Sequence, residues 1–546
     1  MIAPMTIPTD PLTVVRHYHQ RTKHRPERYA ASLGYLDWAS QPDPFRRFEG
    51  ASAVDLPRPA LRPAPTYDSL FAAAPDAAPL DADTVGRLLL HSLALSAWKQ
   101  VGPGQSWSLR INPSSGALHP TEGYLISGPV PGLIDAPGVF HYAPFSHQLE
   151  RRATLSDAQW TALSTDLAPA CLLMGLTSIH WREAWKYGER AWRYCQHDVG
   201  HAIGAIAVAA RTLGWQARVL DSVADAELDR LLGTDQQTGP EAEHADCLIL
   251  LSPADSVTPD LNPGAWPARI PALELIGTPN TLSREHHPWP VIDTIAAAVA
   301  TPGPVVQAPS IEPRTDASPD RGHSAEQIIR QRRSAVDMDG RSPIDRDIFY
   351  RLLGRTLPGA FVADALPWPP RVSLALMVHR VTDLAPGFYL LVREPAHEAS
   401  LRKSLSDQFV WETPEGCPPD LPLFRLIDDD ARRAAQTVSC QQAIAADGAF
   451  AVGMLAHFDA ALDTGGARAY PRLFWETGLI GQVLYLEAEA AGLRGTGIGC
   501  FFDDMMHALM GLTDTAWQSL YHFTVGGPVE DARLQTLPPY AHLDSQ

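Results

Sequence analysis

Asp198-Val199-Gly200-His201-Ala202-Ile203-Gly204-Ala205-Ile206-Ala207-Val208-Ala209-Ala210-Arg211-Thr212-Leu213-Gly214 decides the fold, because Glu476-Thr477-Gly478 opens a similar apolar stretch that closes at Ala491-Gly492. In each copy a further segment ends on glycine, at Leu231-Leu232-Gly233 and at Leu509-Met510-Gly511. These glycines share one offset, 478 − 200 = 278, and so do His244 and His522, each opening a β-rich run. Upstream, Ala136-Pro137-Gly138 before Val139-Phe140-His141-Tyr142 echoes Ala385-Pro386-Gly387 before Phe388-Tyr389-Leu390. Self-similarity at a fixed offset marks a duplicated unit. The two long segments, Val199–Leu213 and Gly478–Ala490, are apolar nearly all round, which predicts two buried helices packed on each other. The chain therefore reads as a tandem α+β duplication that mimics the two-fold interface of a homodimer.

The 546 residues, 45% hydrophobic with 14 Trp, 14 Tyr and 16 Phe, exclude a largely disordered chain. Domains are expected at 1–255 and 324–546. Between them lies a Pro-rich linker, 256–323, with Pro302, Pro304, Pro309, Pro313 and Pro319 crowded near its end. Within this linker Val291–Val299 has the pattern of a short helix packing on a neighbour. A net charge of −18 argues against nucleic acid as a partner, so an anionic ligand needs a local cationic pocket. Six cysteines fall in no CxxC or zinc-ligand spacing and read as reduced thiols, with no metal site. Met1–Val15 lacks the apolar core of a signal peptide, and the most apolar run, Ala202–Ala210, is far shorter than the ~20 residues of a membrane span. A soluble cytoplasmic protein is expected.

Four segments have the residue types of a ligand site. Leu109-Arg110-Ile111-Asn112-Pro113-Ser114-Ser115-Gly116-Ala117-Leu118-His119-Pro120 contains a hydroxyl-rich turn suited to a flat polar ligand. Arg332-Arg333-Ser334 is expected at the start of a helix and offers guanidinium forks and a hydroxyl to a phosphate monoester. Gly495, Gly497 and Gly499 alternate in the run to Cys500, letting backbone N–H groups approach a ring system. Val525-Gly526-Gly527-Pro528 leads on to a further cation, Arg533.

Together these segments resemble the nitroreductase-like flavoprotein superfamily, and within it the SagB-type dehydrogenase branch, which includes azoline-oxidising enzymes. The resemblance implies an intramolecular pseudo-dimer of two nitroreductase-like domains, with mixed or antiparallel sheets and flanking helices, in which a monomer suffices. It implies FMN, with Arg332, Arg333, Ser334 and Arg533 at its phosphate and Gly497, Ile498, Gly499 and Cys500 at the ring edge. Pro113, Ser114, Ser115 and Gly116 would cover the ring from the other domain, with Arg110 as a nearby cation. The pair Lys186-Tyr187 matches an adjacent Lys-Tyr pair required for activity in azoline-oxidising relatives. The 278-offset counterpart of the glycine run is Ala217-Arg218-Val219-Leu220-Asp221-Ser222, and the second turn region reads Pro367-Trp368-Pro369-Pro370-Arg371. One FMN per chain is therefore expected. Three activities remain open: oxidation of azoline heterocycles beside a cyclodehydratase, NAD(P)H-dependent reduction of nitro, quinone or flavin acceptors, and a flavin-free scaffold.

Overall fold

The computed structural model describes residues 10–102, 104–256, 266–300, 311–316 and 318–544. Two sheets carry the duplication. In the first half, β1 (Ala53–Asp55), β4 (Thr121–Ser127), β5 (Gly138–Ala143), β6 (Gln148–Thr154), β7 (Leu172–Ser178), β8 (Trp215–Val219) and β9 (His244–Pro253) pair in the order β1-β6-β5-β4-β7-β9-β8. In the second, β10 (Val372–Val378), β11 (Gly387–Leu391), β12 (Leu423–Asp428), β13 (Phe450–His457), β14 (Arg494–Ile498) and β15 (Trp517–Gly526) pair as β12-β11-β10-β13-β15-β14. Apart from the extra edge strand β1, the two orders are the same. Every pairing is antiparallel. The α+β architecture expected from the repeat is present.

The repeated apolar segments are longer than their sequence pattern: α3 spans Ala191–Thr212 and α5 spans Ala469–Ala490, 22 residues each. They cross at their duplicated glycines. A Cβ on Gly200 would stand 2.4 Å from the Trp475 carbonyl oxygen, and one on Gly478 would stand 2.2 Å from that of His197. The same positions of the two copies thus meet across a pseudo-two-fold axis. The other repeated glycines end helices in the left-handed region, Gly214 and Gly492 at φ 70° and 72°, Gly233 and Gly511 at 73° and 77°. Because a Cβ at the crossing meets backbone rather than a movable side chain, Gly478→Val is expected to destabilise the fold by more than the ~1–3 kcal/mol of ordinary overpacking. A denaturant midpoint beside that of a control with open space around the added Cβ, Gly354→Ala, checks this.

The halves also exchange their ends. α1 (Pro11–Arg21) starts on an Asp10 cap and buries Val14, Val15 and Tyr18 in a core built mainly from the second half. α4 (Ala325–Gln331) buries Ala325, Ile328 and Ile329 in a core built mainly from the first. A three-stranded sheet joins β2 (Leu95–Gly102) and β3 (Gln105–Arg110) to β16 (Gln535–Leu537) near the end of the chain. Inside the expected linker, Thr278–Pro279 pairs with Phe48–Glu49, and the helix Pro290–Val299 buries Ile292 and Ile295. That segment is thus folded onto its neighbours between 266 and 300, while Pro302, Pro304 and Pro309 lie outside the described residues. Among the described residues no helix is long and apolar enough to cross a membrane.

Candidate active site

One cavity, of about 370 Å³, lies between the halves and draws its walls from both. The first half supplies Arg110, Pro113, Ser114, Ser115, Gly116, Ala117 and His119 from the β3–β4 turn, with Asp198 and His201 from α3. The second half supplies Arg332, Arg333 and Ser334 after α4, Tyr485 from α5, Arg494, Thr496 and Gly497 from β14, and Tyr521 from β15. The Pro113–Gly116 turn and the Arg332-Arg333-Ser334 segment thus line one cavity.

The turn is rigid. Gly116, Ala117 and His119 all have positive φ, at 64°, 56° and 52°. Ser114 Oγ accepts the His119 N–H at 2.8 Å, and the Ser115 N–H donates to Asp198 Oδ1 at 3.3 Å. Beneath it, Glu183 of α2 (His180–Tyr187) accepts from Ser114 Oγ at 3.5 Å. Glu183 and Asp198 are buried close together, and burial raises both carboxyls, with the charge of Asp198 raising Glu183 further. Since the folded state holds these protons above the ordinary carboxylate range, stability falls as pH rises from that range towards about 8, where Asp198 is placed. Glu183→Gln should therefore gain on wild type in thermal melts as pH rises from about 4 to 8, and a gap that does not widen would contradict this.

The cationic wall is strongly built. Arg332 is buried over the Tyr485 ring, 5.0 Å from its centroid, and Nη2 donates to the Arg110 carbonyl at 3.0 Å. Its Nε and Nη1 have no hydrogen-bond partner among the described residues. Arg333 is held by the carbonyls of Arg330, at 2.9 Å, and Ser96, at 2.8 Å. Burial, with Arg332 and Arg494 alongside, lowers the Arg333 pKa to about 10. Such crowding of like charge in a desolvated pocket suits a dianionic phosphate. Ser334 Oγ and the Gly497 N–H both meet the Tyr485 hydroxyl, each at 2.9 Å.

Other expected residues stand elsewhere. The Arg533 side chain is 85% exposed and forks onto Asp531, so Arg494 takes the cationic place beside Arg332 and Arg333. Arg110 lines the cavity, but its Nη groups donate to the Pro44 and Thr121 carbonyls, at 2.6 and 3.2 Å. The glycine run is not a loop: Arg494–Ile498 is an edge strand, so alternate residues face opposite ways. Gly497 reaches the cavity while Ile498 is buried in a core with Met506 and Trp517, and Gly499 and Cys500 lie beyond the strand's end. The glycines also admit aromatic rings of the protein itself: a Cβ would meet Phe523 at Gly495, Tyr521 at Gly497 and Tyr194 at Gly499. Lys186 and Tyr187 stand just behind Gly116, where a Cβ would be 2.9 Å from Lys186 Nζ and 2.7 Å from Tyr187 Oη. Lys186 Nζ is 5.2 Å from the Tyr187 ring centroid, and burial together with Glu183 pushes the Tyr187 phenol well above its usual range.

The floor, Tyr485, Tyr521 and His201, with His201 Nε2 3.1 Å from Tyr521 Oη, carries no short motif. Polar Asp198 and His201 at the start of an apolar helix were its one visible trace. A second cavity, of about 430 Å³, occupies the position related by the duplication. There Glu476 and Leu479 replace Asp198 and His201, and Trp368 and Pro370 stand where the first has its serine turn. Glu476 is already spent on Arg393 and on the N–H groups of Arg371 and Val372.

Comparisons with known proteins agree with this architecture. Residues 391–527 match the profile of the Nitroreductase family. A protein of Anabaena variabilis assigned as a nitroreductase is 22% identical, with a TM-score of 0.68 over 94% of this chain and 99% of its own. The Escherichia coli microcin synthetase McbBCD complex with truncated pro-MccB17 gives 20% identity over 45% of this chain and 94% of that one, at a TM-score of 0.28. A Ralstonia eutropha protein assigned as a nitroreductase gives 16%, 41%, 98% and 0.29 in the same order. No curated protein sequence matches at a significant level. Residues 391–527 thus match the Nitroreductase family, and along nearly its whole length the chain shares the fold of the Anabaena variabilis protein.

Proposed function

We propose that the chain is an FMN-dependent oxidoreductase with one composite site, of the SagB-type dehydrogenase kind. The observation that carries this reading is Arg332, buried with two N–H groups unpartnered, beside Arg333 and Ser334 and across from the Pro113–Gly116 turn of the other half. Glu489 acts on Arg332 by its charge, but buried N–H groups of a guanidinium left without hydrogen bonds are costly, and a phosphate removes that cost. The cavity falls within the ~300–1,000 Å³ range of cofactor and ligand pockets, and its polar arginine end and aromatic floor fit a phosphorylated planar group.

In this assignment Arg332, Arg333, Ser334 and Arg494 hold the phosphate, while Ser114, Ser115, Gly116 and Gly497 line the ring end. FMN when bound supplies two-electron chemistry. The protein's own residues position substrate and move protons. Tyr187, kept protonated by burial, serves as a proton donor through Oη, and Lys186 beside it provides the base or cation. The substrate class favoured is an azoline-type heterocycle in a modified peptide. NAD(P)H as hydride source is the competing reading, and a cyclodehydratase is the corresponding partner.

Anaerobic mixing separates them: bleaching of protein-bound flavin by an azoline peptide and not by NAD(P)H is expected, and the reverse would establish the reductase. Lys186→Met and Tyr187→Phe should each lower kcat by about 10²–10⁴-fold, the usual range of acid–base contributions, while leaving flavin content unchanged. Full turnover in both variants would remove this pair from the mechanism.

A further inference from the structure

Cys500 has no other cysteine near it in the sequence, but the fold supplies one. Cys440, 60 residues earlier, lies in the turn after helix Arg432–Val438, and its Sγ stands 2.8 Å from Cys500 Sγ, inside the contact distance of two unbonded sulfurs. The remaining four cysteines are differently placed. Cys171, Cys195 and Cys247 are buried, and Cys417 directs its thiol at the Pro418 and Leu421 carbonyls. Cys440 and Cys500 are both half-buried.

The backbone builds this approach. Cys440 and Gln441 have φ of 54° and 62°, two consecutive non-glycine residues in the left-handed region. Such a conformation is unfavourable for a residue with a Cβ and persists where neighbours hold it. Here Gln442 Nε2 donates to the carbonyls of Ser439 and Cys500, both at 2.9 Å, and the Phe502 N–H donates to the Val438 carbonyl at 2.8 Å. The two loops are therefore pinned together on both sides of the sulfur pair. Arg190 fixes the residue before Cys500, with Nη2 donating to the Gly499 carbonyl at 3.2 Å. The hydrogen bond from the Cys440 thiol and the Arg190 charge favour a thiolate at Cys500, while that same bond to Cys500 and then burial push Cys440 up, a division of roles between attacking and resolving sulfur.

We propose that Cys440 and Cys500 form a reversible dithiol–disulfide centre at the end of the cavity's glycine strand, with hydroperoxides as its oxidant class. The Cys500 thiolate attacks one peroxide oxygen and the O–O bond breaks. The released hydroxide takes a proton to become water, and Cys500 becomes a sulfenic acid. Cys440 sulfur then attacks the sulfenic sulfur, and its proton leaves with the hydroxyl as a second water. Two thiols and one hydrogen peroxide thus give one disulfide and two waters, two electrons passing from sulfur to peroxide. A small dithiol reverses the change. The bond fastens the 439–443 turn to the residues following β14, so the redox state acts on a wall of the cavity. This holds whether or not the cavity takes FMN.

The test uses the reduced, full-length protein treated with one equivalent of hydrogen peroxide. Intact mass should fall by two hydrogens, thiols titrated in denaturant should fall by two from the six of the chain, and digestion should recover the Cys440 and Cys500 peptides linked. Cys440→Ser should stop at a sulfenic acid on Cys500 that dimedone traps, and Cys500→Ser should react at least about tenfold more slowly, as expected when the lower-pKa thiolate is lost. Retention of all six thiols, or a linkage that excludes Cys440, would overturn the proposal. So would equal reactivity of Cys500→Ser and wild type.

Discussion

Arg332→Ala is expected to abolish flavin retention while leaving the apoprotein at least as stable as wild type. The sign of the second effect is what makes this variant informative. In the folded chain Arg332 is a desolvated guanidinium with one bond to the Arg110 carbonyl and two N–H groups unpartnered. Removing it relieves an unpaired buried charge at the cost of its packing on Tyr485. With a phosphate present the balance reverses, because hydrogen bonds to a charged group are worth about 1.5–3 kcal/mol each. Two of them make ~3–6 kcal/mol, or roughly 10²–10⁴-fold in Kd. Fluorescence titration of apoprotein with FMN reads the affinity, and a thermal melt of the same sample reads the stability. An arginine that served only the fold would show the opposite pattern, a lower melt and an unchanged Kd.

The largest loss of stability is expected at Asp503, the first residue of α6 (Asp503–Met510). This carboxylate is wholly buried and joins three parts of the chain. Oδ2 accepts from Arg190 Nη1 at 2.9 Å and from the His24 N–H at 3.0 Å, and Oδ1 accepts from Arg193 Nη1 at 2.9 Å. Asp503→Ala would leave two buried guanidiniums without their counter-charge, for which about 3–5 kcal/mol is the usual cost. The arginines hold its pKa far below the ordinary range. Its contribution is accordingly present above that range and is lost as pH falls through the folded value. Urea unfolding of Asp503→Asn should show a lower midpoint at neutral pH and a smaller acid dependence than wild type. The neighbouring basic stretch is tied down in the same way, with Lys23 Nζ 2.9 Å and Arg25 Nε 2.7 Å from Asp504.

The duplication was readable because its anchors are backbone requirements. Gly200 and Gly478 allow two helices to touch, and Gly214, Gly233, Gly492 and Gly511 end helices in a conformation most residues avoid. Such constraints survive in a single sequence as fixed spacings. Side-chain partners chosen across the fold leave no such spacing. Nothing in the order of residues marks Tyr485 and Tyr521 as the cavity floor, Cys440 as the neighbour of Cys500, or α1 and α4 as elements lent to the opposite half. Arg533 shows the converse error. A cation beyond the last long strand suits a phosphate by chemistry, but Asp531 two residues earlier captures it. The local pairing wins because it costs little chain entropy, whereas Arg494 reaches the cavity from an edge strand that fixes it.

Two cavities of the chain are related by the duplication, and the central claim is that one of them is a flavin site. In the first, Arg332, with two nitrogens unpartnered among the described residues, shares the cavity with a serine turn. In the second, the turn is Trp368 and Pro370 and the carboxylate Glu476 is already bonded. The direct measurement is flavin stoichiometry: apoprotein is saturated with FMN, freed of excess by gel filtration, and assayed for flavin absorbance and protein by amino-acid analysis. The expected result is one FMN per chain, lost in Arg332→Ala and kept in Arg218→Ala of the second cavity. Two FMN per chain, or one that survives Arg332→Ala and disappears with Arg218→Ala, would contradict the composite site.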